Sequence, residues 1–284
     1  MKLSLAVAAL LVPVMGVLAG EELFPVAFQK IGKMKPAEAA QAYIELAGKT
    51  RKPVQVNAAY FAAVQKLILA KKYDEAQKLL ESIRDEQVKA AANIEILFAR
   101  RQWAALADYA NPLPIESWQD SLRPEAAYKR AYANALGKKL DQAEKDIQMA
   151  VKFTANLAEK YIMIQKCAVL YESWIKKPEA EMKLLEQALA IPEEFTIPFY
   201  VNFVHCRYAM LLAQSGKFDE ALKFLSDYKV DKAASRRARV QATFAQIHLL
   251  KGDKKQAIEC YRTASQLYPP WKAGYEKQIK AIEK

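Results

Sequence analysis

Residues Lys251–Pro269 read KGDKKQAIECYRTASQLYP: a glycine turn, an acidic residue, then small and apolar residues three and four apart, closed by proline. Ala257, Tyr261 and Ala264 fall on one face of a helix that starts just after Gly252 and ends at Pro269. Residues at these spacings share a helix face, and proline cannot continue the helix. The same grammar occurs upstream. KKYDEAQKLL from Lys71, KKLDQAEKDI from Lys138 and GKFDEALKFL from Gly216 each carry a basic turn, an acidic start and an apolar stripe. One small residue early in the second helix of each hairpin marks the register. Ala39, Ala76, Ala143, Ala180, Ala221 and Ala257 hold that position, with Leu106 in the same role. Successive spacings from Ala39 to Ala257 are 37, 30, 37, 37, 41 and 36 residues. A period in this range signals a helical solenoid, because one hairpin buries too little apolar face alone and must stack on its neighbours. The spacing predicts an all-α chain, a right-handed αα-solenoid of about seven helical hairpins with a capping helix over 270–284.

Composition points the same way. Apolar residues make up 52% of the chain, enough for a continuous core. Prolines 36, 53, 124, 178, 192, 198 and 269 fall mainly at the proposed helix boundaries, where a missing N–H costs nothing. No segment alternates with period two between hairpin turns, which argues against a sheet. Asp74, Asp141 and Asp219 stand at the start of second helices, where a carboxylate is expected to cap free N–H groups and meet the positive end of the helix dipole.

Most of residues 21–284, and most closely the last two hairpins, resemble the tetratricopeptide repeat. In the last hairpin Ala245 takes the small first-helix position, Gly252 the turn, Ala257, Tyr261 and Ala264 the second helix and Pro269 the terminator. Ala180 to Pro192 repeats the twelve-residue step from Ala257 to Pro269. The first-helix tryptophan of the family is missing, and several linkers are longer than its pattern. The resemblance implies a concave groove lined by first helices. Counted from the alanine markers, its lining comprises Tyr128, Lys129 and Tyr132 in the fourth hairpin and Gln165, Lys166, Val169 and Glu172 in the fifth. Arg207 and Met210 follow in the sixth, Arg239 and Gln246 in the seventh. Some of these tyrosines and methionines are equally suited to packing between repeats. The paired Asn and Lys of the family's carboxylate clamp are not reproduced.

Met1–Gly20 has Lys2, an apolar run from Leu3 to Leu18 and a small-residue site at Val17-Leu18-Ala19. This pattern is that of a cleaved secretory signal, so residues 21–284 are expected to form the mature repeat domain, periplasmic or secreted. An uncleaved anchor is the rival reading. The net charge of +11 loses only Lys2 on cleavage, and such an excess draws acidic partners, anionic glycans or lipid head groups. Its densest cluster is Lys229, Lys232, Arg236 and Arg237, with Arg239 just beyond. A solvated linker explains that cluster equally well, and nucleic acid is a poor match for an exported protein.

Three cysteines, 167, 206 and 260, are odd in number and widely spaced, against a disulfide framework; only neighbouring first helices would bring Cys167 and Cys206 within bonding reach. His205 and His248 are the only histidines, neither at a metal-ligand spacing. No Gly-x-Ser-x-Gly elbow or phosphate loop is present, and no cofactor is expected. The sequence therefore predicts an exported, non-enzymatic adaptor for a protein or peptide. An envelope polyanion binder working through the basic cluster is the alternative. Self-association through the last helix, with Trp271 and Tyr275 on one side, is a third.

Overall fold

A computed structural model describes residues 23–230 and 232–284; the proposed signal peptide lies outside them. Among the described residues there are fifteen α-helices, four short 3-10 turns, one π-turn and no strand. They divide into two compact units, the first ending at Ala155 and the second running from Asn156 to Lys284. The first unit holds four hairpins: α1 (Leu23–Gly32) with α2 (Pro36–Lys49), α3 (Pro53–Leu69) with α4 (Tyr73–Leu79), α5 (Glu86–Ala99) with α6 (Trp103–Ala110), and α7 (Arg123–Leu136) with α8 (Leu140–Lys152). In the second unit, α9 (Leu157–Leu170) pairs with α10 (Pro178–Leu189), α11 (Pro198–Gln214) with α12 (Phe218–Asp227), and α13 (Ala234–Lys251) with α14 (Lys254–Leu267). A final helix, α15 (Lys272–Ile282), packs against α14. Pro36, Pro53, Pro178 and Pro198 open their helices and Pro124 stands second in α7, as their lack of an amide donor dictates.

One turn recurs from the second hairpin onward. Lys71, Arg101, Lys138, Lys176, Gly216 and Gly252 have φ of 61°, 58°, 59°, 59°, 80° and 88°. In five cases the next residue's amide donates back to the carbonyl five positions earlier. These are Lys72 to Leu67, Gln102 to Leu97, Lys139 to Asn134, Lys217 to Leu212 and Asp253 to His248, all at 2.8–3.0 Å. This closure needs a left-handed residue, which costs a side-chain-bearing residue roughly 1–2 kcal/mol. Four of the six turns bear that cost with a lysine or arginine.

The marker positions are fixed by the first amide of each second helix to bond the N-cap carbonyl. Ala39, Ala76, Leu106, Ala143, Ala221 and Ala257 make this bond to Lys35, Lys72, Gln102, Lys139, Lys217 and Asp253, and all six are 0% exposed. In the fifth hairpin the residue is Glu181, bonded to Lys177, and not Ala180 as its chemistry suggests. The cause lies upstream. Ala168, Ala131, Ala209 and Ala245 are the fully buried small residues of their first helices. From Ala131, Ala209 and Ala245 the marker follows twelve residues on, but from Ala168 to Glu181 it is thirteen. The π-turn Tyr171–Ile175 absorbs the extra residue, as such bulges do.

The aspartates also depart from expectation. The N-caps are Lys72, Lys139 and Lys217, none with a side-chain cap bond, and Asp74, Asp141 and Asp219 stand two residues inside the helix. Asp74 pairs with Arg100, and Asp219 with Lys251 at 2.6 Å. In both cases the second-helix aspartate joins the turn of the following hairpin. Side-chain caps occur instead at Asp85, Asn156 and Asp253.

Candidate functional site

The first-helix face of the first unit is built on α5 and α7. Phe98, Trp103, Tyr128 and Tyr132 form one half-buried aromatic group: Phe98 lies 5.4 Å from Trp103, 6.2 Å from Tyr128 and 5.3 Å from Tyr132, and Trp103 lies 5.0 Å from Tyr132. Tilted and edge-on contacts at these distances are the favourable aromatic geometries. Beside them Lys129 is buried, its Nζ 2.8 Å from Glu95, 2.9 Å from Glu125 and 5.6 Å above the Phe98 ring. Burial opposes its charge, yet Glu125 and Glu95 outweigh burial and hold it above the usual lysine range. Lys129 is thus a stitch between hairpins, while the tyrosines stay half-buried.

In the second unit, Gln165, Lys166 and Val169 on α9, Met210 on α11 and Arg239 on α13 are half-buried, and Gln246 on α13 is exposed. The extra residue at the π-turn leaves Gln165, Lys166 and Val169 in the register counted from Ala168. Arg207 is committed elsewhere. Its Nε and Nη2 donate to the two Glu181 oxygens at 2.5 and 2.7 Å, and its Nη1 lies 3.3 Å from Glu172. Glu181 is 1% exposed, so a buried carboxylate stands where the other hairpins place a small or aliphatic residue.

A second buried ion pair escaped the sequence reading. Arg130, 2% exposed, faces Asp146, 0% exposed, with Nη2 at 2.7 Å. Its Nη1 donates to the Leu113 and Ala110 carbonyls at 3.1 and 3.3 Å, and Asn134 and Gln142 donate to Asp146 at 3.2 Å. The signal was present: Arg130 and Asp146 each interrupt an apolar stripe, one on each helix of the same hairpin.

Lys229, Lys232 and Arg237 are exposed and Arg236 is half-buried, around the linker between α12 and α13. Among the described residues no group of three or more His, Cys, Asp or Glu is arranged to hold a metal ion, and no disulfide joins the cysteines. Burial pushes the Cys206 thiol up to about 11, the opposite of a reactive thiolate. His205 stacks 4.1 Å from the Tyr228 ring and 5.5 Å from that of Phe224, and its Nδ1 donates to the Val201 carbonyl at 2.9 Å.

A scan against protein-family models finds no match, and neither does a search of curated proteins. Solved structures do match. The apo form of the quorum sensor NprR from B. thuringiensis aligns over 92% of this chain and 78% of its own at 12% identity, with a TM-score of 0.54. The fold is tetratricopeptide-like. A tetratricopeptide repeat protein from Parabacteroides merdae ATCC 43184 aligns over 93% of this chain and 98% of its own (14% identity, TM-score 0.49). YrrB, a TPR protein with an unusual peptide-binding site, aligns over 82% and 94% (14% identity, TM-score 0.44). The first helices α5 and α7 of neighbouring hairpins pack against each other, which is what brings Phe98, Tyr128 and Tyr132 together.

Proposed function

We propose that this chain is an exported interaction scaffold that holds an extended peptide or a protein surface on its first-helix faces and does no covalent chemistry itself. The observation that carries the reading is the half-buried aromatic group of Phe98 on α5 and Tyr128 and Tyr132 on α7, joined by Trp103 at the start of α6. Tyrosine and tryptophan supply most of the energy of protein interfaces because they combine contact area with a directed hydrogen bond. Lys129, buried and paired with two glutamates, fixes α7 against α5 and offers no net attraction for anions.

The test is affinity capture from envelope extract with wild type and with Tyr128→Ala/Tyr132→Ala, checking by circular dichroism that the variant stays helical. The expected result is one stoichiometric protein retained at high salt and reduced at least about tenfold by the variant, the scale of a lost hot spot. Equal capture by both proteins would overturn the assignment of the face. Export rests on the residue pattern of 1–20; a mature N-terminus at or next to Gly20 in the envelope fraction is expected, and an intact Met1 in the cytosol would refute it.

A second reading has its own observation. Lys229, Lys232 and Arg237 are exposed and make no ion pair among the described residues, which suits an acidic envelope polymer. Retention through them should collapse on raising salt above physiological strength, where screening acts within about 8 Å.

A further inference from the structure

The cleft between the seventh hairpin and α15 has a volume of about 530 Å³. Its walls include Gln246 from the first-helix face of α13, Tyr261 of α14, and Trp271, Gly274, Tyr275 and Gln278 from the last segment. No acidic or basic side chain lines it. Gln246, Trp271 and Gln278 are exposed, and the rings meet at an angle, Tyr261 at 5.9 Å and Trp271 at 6.5 Å from Tyr275. Tyr261 is only 3% exposed, and its hydroxyl has no hydrogen-bond partner among the described residues. Protein does not seal that hydroxyl off, for it is not among the fully buried polar atoms left unpaired. A tyrosine buried to this degree ordinarily has a partner for its hydroxyl.

We propose that this cleft binds an uncharged, proline-containing extended segment of a partner protein, the Tyr261 hydroxyl donating to a peptide carbonyl and the Gln246 and Gln278 amides flanking the backbone. The inference rests on the scaffold reading and names the chemistry of its ligand. Three features select this occupant. The lining offers a charged ligand no counter-ion to replace its water. A polyproline II strand makes no internal hydrogen bonds, so its carbonyls remain available to the tyrosine and the two amides. Its flat, stiff rings fit an aromatic-walled groove with little ordering cost.

The test is fluorescence anisotropy of a labelled, capped Ala-Pro-Pro repeat dodecapeptide titrated with the full chain. Tyr261→Phe removes only the hydroxyl and is expected to weaken binding about fivefold, the value of one hydrogen bond. Gly274→Leu is the second variant. A Cβ built there meets no atom within 4 Å, so the leucine starts from open space at the cleft; circular dichroism checks that the variant stays helical, and binding should fall more than about tenfold. Lys183→Ala, at an exposed site on α10, should leave the titration unchanged. Binding that ignores both Tyr261→Phe and Gly274→Leu, or a wild type that binds a neutral oligosaccharide such as cellohexaose and not the peptide, overturns the proposal. Native partner captured equally by wild type and Gly274→Leu also overturns it while the scaffold reading stands. Peptide binding that obeys the variants, with no protein captured from extract, upholds the cleft and counts against the scaffold reading.

Discussion

Arg207 shows how one residue can satisfy a groove pattern and still belong to the core. Its guanidinium closes both oxygens of Glu181, which is 1% exposed. Removing one partner of such a pair strands a buried charge. Arg207→Met is therefore expected to destabilise the second unit by about 3–5 kcal/mol, and Arg207→Met/Glu181→Leu to recover most of that loss; urea midpoints of the three proteins check both. His205 carries the pH dependence. Burial holds its imidazole below the usual histidine range, so the folded chain binds fewer protons than the unfolded one. Its contribution is present above the unfolded pKa and is lost as pH falls through the folded value. Thermal stability is expected to drop between about pH 7 and pH 5, and His205→Phe, which keeps the stack on Tyr228 and Phe224, should flatten that part of the profile. The marker alanines were legible because a 0%-exposed small residue repeats at a visible period. Glu181 was not, because Ala180 beside it has the expected chemistry, and the twelve-residue step to Pro192 was a coincidence. Pro178 was the better guide: it opens α10 at the same place that Tyr73, Leu140 and Phe218 open their helices.

At the scale of elements, the turns between paired helices have one geometry and two chemistries. Gly216 and Gly252 adopt positive φ freely, while Lys71, Arg101, Lys138 and Lys176 do so under strain. Arg101→Gly and Lys138→Gly are each expected to stabilise the first unit by about 0.5–1 kcal/mol, the left-handed cost less the entropy a glycine forfeits; an upward shift of the urea midpoint at constant slope checks this. Helix starts were readable from proline, and helix faces from the spacing of alanine and leucine. The aspartates misled because acidic residues favour a helix's first turn whether they cap it or serve the dipole, and here the turn cation of the next hairpin takes two of them. The π-turn at Tyr171–Ile175 leaves no mark in residue type, only in a count of thirteen where the other hairpins have twelve. Both buried ion pairs were visible only as charged residues on apolar stripes.

For the whole molecule, the described residues form seven hairpins in two compact units and repeat the first-helix face from one hairpin to the next. The period of the markers made the all-α class and the hairpin number legible. The division after Ala155 was not, because the period runs on across it. Which groove residues remain available depended on ion pairs that the period does not specify: Lys129 and Arg207 are tied to glutamates, whereas Gln246 is exposed and Gln165 and Val169 are half-buried. The central claim is that the first-helix faces meet a partner. Its most direct test places a photo-crosslinking residue singly at Val169 or Gln246 on first helices and at Lys183 or Gln256 on exposed second-helix sites, illuminates intact cells, and identifies the adducts. The account predicts one protein joined from Val169 and Gln246 and none from Lys183 or Gln256. Adducts confined to the second-helix positions would contradict it.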